Sequence, residues 1–286
     1  MKKFFLLIAA LCCIATMQAQ NITMASYNIR YNNPDDVEEG NGWMQRCPHL
    51  CEIINYEQPL FFGAQEVLVD QLHDMLKLLP DYHYLGVGRD DGKEAGEYAA
   101  IFYLKDRLEV VDHGHFWLSE TPEKPSRGWD AVCVRICTWA LFKDKQTKQQ
   151  FYVFNLHMDH VGTVARRESA KLVIQRMKEF KKQYPMVLTG DFNVDETNEI
   201  YLIFTKSGIL KDAYESAVMR MANTCTWNDF MQDCRDKHRI DHIFVSSDVT
   251  VERYAILTES YWLGNTRRNP SDHYPVFAKL KWPAKK

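Results

Sequence analysis

Polar side chains lie at the ends of several apolar runs that are widely separated along the chain. They are Asn28 in SYNIRYNN, Glu66 in GAQEV, His157 in FNLHMDH, Asp191 and Asn193 in VLTGDFNV, Asp241 in RIDHIFV, and Asp272 and His273 in NPSDHYPVF. Strand-forming neighbours would hold such groups rigidly at the edge of a core. Carboxylates, amides and imidazoles gathered there suit one task, which is to hold a divalent metal ion and a phosphate while water attacks.

The segment GDFNV joins a carboxylate and an amide at the end of a predicted strand. Asp191 and Asn193 are two residues apart, so in an extended chain their side chains point to the same side. The carboxylate can orient a water molecule, and the amide can hold a phosphate oxygen. An ordinary turn is the alternative, because Gly, Asp and Asn are all common turn residues.

Two acidic residues lie inside otherwise apolar strands. Glu66 is at the end of the AQEV strand, where a carboxylate is costly unless it is paired or bound to a metal ion. Asp241 lies between Ile240 and the apolar residues of HIFV, where orienting a histidine is the simplest role for it.

Two histidines complete the set. His273 follows Asp272 directly before a predicted strand, so this pair offers a metal ligand beside a group that transfers a proton or stabilises charge. A plain loop is the alternative for an isolated Asp-His pair. His157 ends an apolar strand, and a structural role is the alternative for a lone histidine in that position.

The elements that must position these residues are mainly strands. Stretches rich in β-branched and aromatic residues predict strands at 22–31, 61–66, 82–87, 98–104, 108–118, 131–142, 150–157, 186–191, 240–245, 249–257 and 274–282. Apolar spacing predicts helices after Asp70, over 164–183 and over 198–206, the last ending at Gly208. Many strands with few helices favour two sheets packed face to face, with helices outside and a cleft at one edge.

Taken together and in order, six segments resemble the endonuclease/exonuclease/phosphatase superfamily, which includes deoxyribonuclease I. They are SYNIR, AQEV, NLHMDH, GDFN, RIDHIF and SDHYPV. Three more, GEYAAIFYLKDRLEV, HFWLSETP and RGWD, are similar to those of secreted bacterial members. The resemblance covers residues 21–282. It implies an α+β fold, a four-layer α/β/β/α sandwich of two mostly antiparallel sheets.

The resemblance also implies an activity and a metal site. The expected enzyme is an Mg²⁺-dependent phosphohydrolase, with Mn²⁺ as the other candidate ion, that cleaves a phosphodiester or phosphomonoester by in-line attack of water. Glu66 would be the main carboxylate ligand of the metal ion, with Asn28 and Asp272 nearby.

The remaining site residues receive catalytic roles from the same resemblance. Asp191 would activate the attacking water, and Asn193 would hold a phosphate oxygen. His273, supported by Asp241, would stabilise charge on the phosphoryl group or move a proton. His157 would hydrogen-bond the phosphate and assist the leaving group. This mixture of a cation and preorganised donors suits the transition state of phosphoryl transfer.

The N-terminus predicts export. Residues 1–19 have the parts of a secretory signal peptide: two lysines, an apolar run over 4–14 that is too short to span a membrane, and small residues at the end. Cleavage would leave one catalytic domain, 20–286, in the periplasm or outside the cell. A lipoprotein anchored at Cys12 or Cys13 is the alternative.

The charge balance of the mature chain bears on its partners. Removing Lys2 and Lys3 from 35 basic residues leaves 33 against 38 acidic, a formal charge of −5. That balance disfavours recruitment to duplex DNA by bulk charge. The expected partner is a phosphate ester of a nucleic acid, sugar, inositol or phospholipid headgroup. We expect a monomer with no transmembrane segment, and no long apolar hairpin suggests insertion into lipid.

Six cysteines follow the predicted signal peptide, an even number that permits disulfides in an exported protein. Cys225 and Cys234 flank a short polar loop and are the best candidate pair. Cys133 and Cys137 would lie on one strand, about 13 Å apart, which is too far for a bond. The absence of CxxC spacing argues against zinc.

Other residues near these motifs allow two interpretations. Asp159 and His160 follow His157 and could contact substrate or serve only the loop. Arg127, Trp129 and Trp117 lie in or beside ETPEKPSRGWD and could bind a sugar or headgroup, with ordinary packing as the alternative.

Two different functions remain as alternatives to an enzyme. A catalytically inactive member of the fold would lack an acid or histidine, yet every expected motif is present. A carbohydrate-binding sandwich at the cell surface would explain the strands and tryptophans, but not GDFN, SDH and Glu66 together. Metal-dependent hydrolysis would separate both from a phosphohydrolase.

Overall fold

The computed structural model of the chain describes residues 21–181, 183–231, 234 and 238–283. The predicted signal peptide, with Cys12 and Cys13, lies outside these described residues. No helix within the described ranges is long and apolar enough to cross a membrane.

Two large β-sheets and one hairpin contain the strands of the described residues. In chain order the strands are β1 (Asn21–Asn28), β2 (Phe61–Val67), β3 (Tyr82–Leu85), β4 (Tyr98–Leu104), β5 (Leu108–Trp117), β6 (Ile136–Asp144), β7 (Gln150–His157), β8 (Met186–Asp191), β9 (Leu210–Asp212), β10 (Met219–Met221), β11 (Asp241–Ser246), β12 (Thr250–Ile256), β13 (Tyr261–Leu263), β14 (Thr266–Arg268) and β15 (Val276–Lys281). The first sheet has the order β10-β12-β15-β1-β2-β4-β3, and the second has the order β5-β6-β7-β8-β11-β9. Strands β13 and β14 form the hairpin.

Most neighbouring strands are antiparallel, as expected. Among the described strands the parallel pairs are β1 with β2, β7 with β8, and β10 with β12. The helices are α1 (Pro34–Glu38), α2 (Trp43–Glu57), α3 (Val69–Leu78), α4 (Thr163–Glu179), α5 (Glu199–Thr205) and α6 (Ala213–Ser216).

Apolar side chains from both sheets form a central core. Met24 of the first sheet and Val153 of the second belong to it. The outer face of the first sheet packs against α2 and α3, where Leu50 is buried, and the outer face of the second packs against α4 and α5, where Val173 is buried. The structure therefore confirms the expected four-layer α/β/β/α sandwich.

The alternation of side chains along each strand decides which residues reach the space between the sheets. In β7, Phe151 and Val153 belong to the central core, whereas Tyr152 and Phe154 pack under the outer helices. His157 continues the inward-facing set at the end of the strand. The period of two thus points this histidine toward the opposite sheet.

A buried layer of polar side chains closes the core just before the strand ends. The amide of Asn155 donates to the carbonyls of Ala64 at 2.9 Å and Ala100 at 2.8 Å. Its Oδ1 accepts from Gln65 Nε2 at 2.7 Å and Thr189 Oγ1 at 3.0 Å. These bonds tie the two sheets together directly beneath the strand-end polar residues.

All eleven predicted strands occur, three with the predicted bounds and eight with shifted ends. The largest shift is in β6, which begins at Ile136 instead of 131. The preceding residues form a loop because the amides of Val132 and Cys133 donate to the carboxylate of Asp159 and not to a neighbouring strand. The short strands β9, β10, β13 and β14 have too few residues to show a periodic pattern.

The three predicted helices are present, but α2 is not among the predictions. Its apolar residues Trp43, Cys47, Leu50 and Ile54 do recur at helical spacing. Pro48 inside the helix interrupts that pattern, because proline cannot donate the hydrogen bond expected in a helix interior. Tertiary packing against the first sheet overrides this local penalty.

The cysteine predictions are confirmed in part. Cys225 and Cys234 form a disulfide bond, with Cα atoms 6.3 Å apart. Cys133 and Cys137 are free, as expected. The prediction that both lie on one strand is wrong, since Cys133 belongs to the loop before β6.

We expect Gly63→Ala to destabilise the protein by about 2–3 kcal/mol, because overpacking a filled site forces its neighbours apart. A Cβ at Gly63 would overlap Thr189 Oγ1 and Asn155 Oδ1 in the buried polar layer. Urea unfolding measures the change. Gly264→Ala is the control: it has nothing within 4 Å and a φ of +60°, so only backbone strain of about 1 kcal/mol is expected. Equal losses in the two variants would contradict the overlap.

We expect reduction of the Cys225–Cys234 bond to lower the free energy of unfolding by about 2–3 kcal/mol, as expected for a short closed loop. The bonded residues are nine apart in sequence. The measurement is urea unfolding with and without dithiothreitol. The Cys133→Ser variant, which lacks only a free thiol, should respond to the reductant as the wild type does.

Candidate active site

The candidate active site lies where the central strands of both sheets end. Asn28 ends β1 and Glu66 lies near the end of β2, while His157 and Asp191 end β7 and β8. The parallel pairing of β7 with β8 places His157 beside Asp191. The antiparallel pairing of β8 with β11 places Asp241 opposite Asp191. Residues far apart in sequence therefore meet at one edge of the sandwich.

The side-chain amide of Asn28 joins carboxylates of the two sheets. Its Nδ2 donates to Glu66 Oε1 at 2.9 Å and to Asp191 Oδ2 at 3.0 Å. Its Oδ1 accepts from the backbone amide of Arg30 at 3.0 Å. In this arrangement Asn28 orients the two carboxylates, and its role as a metal ligand stays a prediction.

Glu66 is held in an unusual backbone conformation. Its φ is +62°, at the point where the pairing of β2 with β4 is interrupted. A residue other than glycine is strained in this region, so the surrounding contacts must hold it there. Its second oxygen, Oε2, accepts from the backbone amide of Tyr31 at 3.1 Å. Both carboxylate oxygens are therefore fixed in position.

The GDFN segment is both a turn and part of the site. Asn193 has a left-handed φ of +51°, and its backbone amide donates to Asp191 Oδ1 at 2.9 Å. Its Nδ2 donates to the carbonyl of Met158 at 2.9 Å and lies 3.1 Å from His157 Nε2. The turn thus presents a carboxylate and an amide to the same cleft.

His157 is a neutral imidazole near neutral pH. Burial lowers its pKa well below the usual range, and the guanidinium groups of Arg135 and Arg89 lower it further. Because Nε2 accepts from the amide of Asn193, the proton belongs on Nδ1. Nδ1 has no acceptor among the described residues, and Glu97 Oε2 is 3.9 Å away. His157 can therefore donate a hydrogen bond to a ligand in the cleft.

His273 is a cation between carboxylates. Its Nδ1 lies 2.8 Å from Asp241 Oδ2, and its Nε2 lies 3.7 Å from Asp191 Oδ2. Burial alone would lower the pKa of His273, but Asp241, Asp191 and Asp272 outweigh burial and raise that pKa well above its usual range. Burial and the charge of Asp241 in turn raise the pKa of Asp191 to about 7.

Asp272 is a buried carboxylate in the wall of the same cleft. Its Oδ2 lies 3.7 Å from Arg30 Nη1, and Arg30 is held by two hydrogen bonds to Asp36. Burial raises the pKa of Asp272 to about 6, and the nearby charge of Glu66 contributes to that rise. The carboxylate charge at this end of the cleft is therefore not fully balanced by the protein.

Arg46 is a positioning residue that the sequence analysis missed. Its guanidinium is completely buried and donates to the carbonyls of Ile29, Arg30, Asn41 and Pro270. These bonds join the loop after β1 to the loop before His273. Arg46 lies on helix α2, so the missed helix also concealed this contact.

The donor set fits a divalent cation. Ligand atoms of Glu66, His157 and Asp191 all lie within 4.8 Å of one another. Carboxylate oxygens are the ligands that Mg²⁺ and Mn²⁺ prefer. The raised pKa values of Asp191 and Asp272 indicate negative charge that a cation would stabilise. Glu66 is the residue that would hold it, with Asp272 as a second carboxylate in the same cleft and Asp191 beside them.

The cleft around these groups has a volume of about 480 Å³. Several residues of its wall were not predicted as site residues. They are Arg30, Tyr31, Arg89, Glu97, Cys133, Arg135, Trp227 and Ile240. Arg30, Glu97 and Ile240 lie within segments that resemble the family, but nothing local assigned them a role there. Arg89 and Glu97 form a two-bond ion pair, at 2.6 and 2.8 Å.

The structure distinguishes among the residues for which the sequence allowed either substrate contact or a structural role. His160 lines the cleft, whereas Asp159 is buried and accepts backbone amides of the surrounding loops. Trp117 is buried, and its indole donates to the carbonyl of Arg89 at 2.7 Å. Trp129 and Arg127 are not among the lining residues described for the cleft. Packing therefore accounts for Trp117.

Residues 25–273 match the Endonuclease/Exonuclease/phosphatase family. A solved structure of a protein of this family from Bacteroides thetaiotaomicron is 48% identical, with a TM-score of 0.91, and the match covers 93% of this chain and 100% of that one. A mannosyl-6-phosphatase from Bacteroides thetaiotaomicron is 49% identical, with a TM-score of 0.90 and coverage of 91% and 100%.

Curated relatives are more distant. Human nocturnin is 26% identical over 254 residues, which cover 82% of this chain but 56% of nocturnin. An uncharacterized mimivirus protein is 28% identical over 162 residues, covering 54% of this chain and 60% of that protein. The chain thus spans little more than half the length of these two relatives.

We expect Mg²⁺ or Mn²⁺ to raise the melting temperature of EDTA-treated protein, and more at pH 8 than at pH 5. Asp191 and Asp272 have folded pKa values of about 7 and 6, above those of an unfolded carboxyl group. Their contribution to stability is thus present at low pH and is lost as pH rises through 6–7, when both ionise and repel. A cation offsets that loss. At a hundredfold excess over its dissociation constant, it should add roughly 5–10 °C.

Calorimetry at the two pH values measures this effect. Glu66→Gln keeps the shape of the side chain but removes a ligand charge, so most of the metal-induced shift should disappear. Glu52→Gln, on the exposed side of α2, is the matched control and should keep the full shift. A Glu66→Gln protein that responds to metal as the wild type does would refute this ligand assignment.

Proposed function

The chain belongs to the endonuclease/exonuclease/phosphatase family, and from this premise we propose that it is a divalent-metal-dependent phosphoric ester hydrolase that uses in-line attack by water. One observation carries the proposal. The Asn28 amide bridges Glu66 and Asp191, placing a cation-binding carboxylate beside a carboxylate able to accept a proton from water.

Asp191 is the proposed general base. Its ionised form can accept a proton from water, and its pKa near 7 is close to the value at which a base is both ionised and effective. Asn28 and the backbone amide of Asn193 fix its two oxygens. Water held by this carboxylate has a defined position relative to a phosphorus atom in the cleft.

Three groups are proposed to contact the phosphoryl oxygens. The cationic His273, fixed by Asp241, stabilises the negative charge that develops in the transition state. His157 donates a hydrogen bond through Nδ1, and the Asn193 amide fixes its orientation. Because free His157 is neutral, its role is to donate a hydrogen bond, and it would become an acid only when a phosphate dianion raises its pKa.

Mg²⁺ is the proposed cofactor, with Mn²⁺ as the alternative, held by Glu66 and Asp272 beside the general base Asp191. When bound, the ion would polarise a phosphoryl oxygen and neutralise part of its charge. The positive charge of the ion would also stabilise the ionised forms of Asp191 and Asp272, whose pKa values are raised in the free protein.

We propose a phosphorylated sugar as the substrate, cleaved at a phosphomonoester. The mannosyl-6-phosphatase with 49% identity supports this choice, since the match covers its whole chain. The formal charge of −3 for the whole chain favours it over duplex DNA. Nucleic acids, inositol phosphates and phospholipid headgroups are the competing substrates.

We also propose that the protein is exported to the periplasm or beyond and acts as a monomer. The signal-peptide pattern of residues 1–19 supports export. The Cys225–Cys234 disulfide agrees with an oxidising compartment.

Hydrolysis of a substrate panel by the mature protein, with Mg²⁺ and with EDTA, tests this function. The panel holds plasmid DNA, RNA, inositol phosphates, hexose phosphates, phospholipids and p-nitrophenyl phosphate. Asp191→Asn should reduce the rate about a thousandfold, because the base is lost. The rate of the wild type should fall at acidic pH, because Asp191 must be ionised to accept a proton from water.

Asp195→Asn is the matched control, since Asp195 makes the same kind of turn bonds four residues away but does not line the cleft. Its rate should stay within about threefold of the wild type, as for a surface substitution away from the site. An Asp191→Asn rate within tenfold of the wild type would refute the general-base role. A folded wild type that hydrolyses nothing would favour the binding-module alternative.

A further inference from the structure

Arg135 is a buried cation whose bonding is incomplete. It precedes β6, is 4% exposed and lines the cleft next to His157. Its Nη2 donates to His160 Nδ1 at 3.0 Å. Its Nε lies 3.6 Å from Asp159 Oδ2, and neither Nε nor Nη1 has a hydrogen-bond acceptor among the described residues.

Arg46 shows what a purely structural arginine looks like in this fold. Each of its three guanidinium nitrogens donates to a backbone carbonyl. Buried donors are nearly always paired, because an unpaired one forfeits its hydrogen bonds with water. Arg135 has two unpaired nitrogens on a side chain that lines the cleft, so a ligand in the cleft can supply the missing acceptor.

The groups around Arg135 alternate between donors and acceptors. A guanidinium can only donate, so His160 Nδ1 must accept and the proton of the neutral ring is on Nε2. Across the same wall, Glu97 is bound to Arg89 and lies 3.9 Å from His157 Nδ1. Trp227, 49% exposed, gives the rim of the cleft an aromatic surface.

The charges of this wall balance. Arg135 is near Asp159, and Arg89 is paired with Glu97. A second phosphate would gain little net attraction there and would meet the carboxylate of Glu97. A hydroxyl group both donates and accepts, so it suits interleaved donors and acceptors, and an aromatic surface suits the apolar face of a sugar ring.

We propose that Arg135, His160 and Glu97 form a subsite that binds the ring hydroxyls of a phosphorylated sugar. This inference rests on the proposed function, because the phosphate of that sugar would lie at His157. The subsite adjoins His157, so a ring attached to the phosphate through one or two bonds reaches it. Arg135 would then select the leaving group.

The test compares two phosphomonoesters whose rings differ in hydroxyl groups, mannose 6-phosphate and p-nitrophenyl phosphate, with Mg²⁺ present. Arg135→Met should lower kcat/KM for mannose 6-phosphate by about tenfold to a hundredfold, the effect of losing a hydrogen bond to a charged group. For p-nitrophenyl phosphate, which has no ring hydroxyl, the loss should be at least about threefold smaller. Glu97→Gln should show the same selectivity with a smaller loss.

Arg166→Met is the matched control. Arg166 lies on α4, donates to the carbonyl of Asp159 and does not line the cleft, so its loss removes a guanidinium near Asp159 without touching the subsite. It should change the two substrates equally. Turnover of p-nitrophenyl phosphate also verifies that each variant is folded.

Equal losses on both substrates with Arg135→Met, or no loss on either, would overturn the subsite. Wild-type turnover of p-nitrophenyl phosphate without turnover of mannose 6-phosphate, glucose 6-phosphate or mannose 1-phosphate would overturn it while leaving the hydrolase function intact. If the wild type hydrolyses nothing, the shift in melting temperature on ligand binding tests the subsite. The subsite requires mannose 6-phosphate to raise the melting temperature more than inorganic phosphate does, and Arg135→Met to remove that difference.

Discussion

The structure depends on the hydrogen bonds of one amide placed between two sheets. Asn28 ends a strand of the first sheet and donates to Asp191 of the second, while also donating to Glu66 of its own sheet. These bonds require the two sheets to keep a fixed separation at this edge. The polar layer beneath, centred on Asn155, maintains that separation because its members are buried and bonded across the sheets.

The charges gathered at this edge explain how a stable fold can carry a reactive site. Asp191, Asp241 and Asp272 are buried close together, and the cationic His273 compensates only part of their charge. The pKa values of Asp191 and Asp272 are therefore raised above the usual range of a carboxyl group. Such carboxylates lower the stability of the free protein. In return they attract a cation and can accept a proton from a bound water molecule.

Two buried arginines show the difference between a group used for architecture and one used for recognition. Arg46 is saturated by carbonyls and joins the two loops that carry Asn28 and His273. Arg135, almost equally buried, keeps two nitrogens unpaired at the cleft wall. Both arginines are buried, so residue type and exposure do not distinguish them. Their hydrogen-bond partners do.

The sequence by itself determined the strands, the four-layer architecture and the residues of the strand ends. Periods of two and apolar runs are local properties, and motifs such as GDFN and SDH keep their order along the chain. Helix α2 was not predicted because Pro48 interrupts its apolar pattern. The role of Arg46, which lies on this helix, was therefore not predicted either. Arg89 and Arg135 lie outside every recognised motif, and Glu97 lies in GEYAAIFYLKDRLEV, where no local pattern assigns it to the site.

Only the tertiary structure decided which of these groups touch. Asn28 and Asp191 are 163 residues apart, and no local pattern specifies that their side chains bond. The proton position on His157, the raised pKa of Asp191 and the unpaired nitrogens of Arg135 likewise arise from neighbours supplied by other strands and loops. Hydrogen bonds and charge interactions act over a few ångströms in space, so they exist only after the sheets have packed.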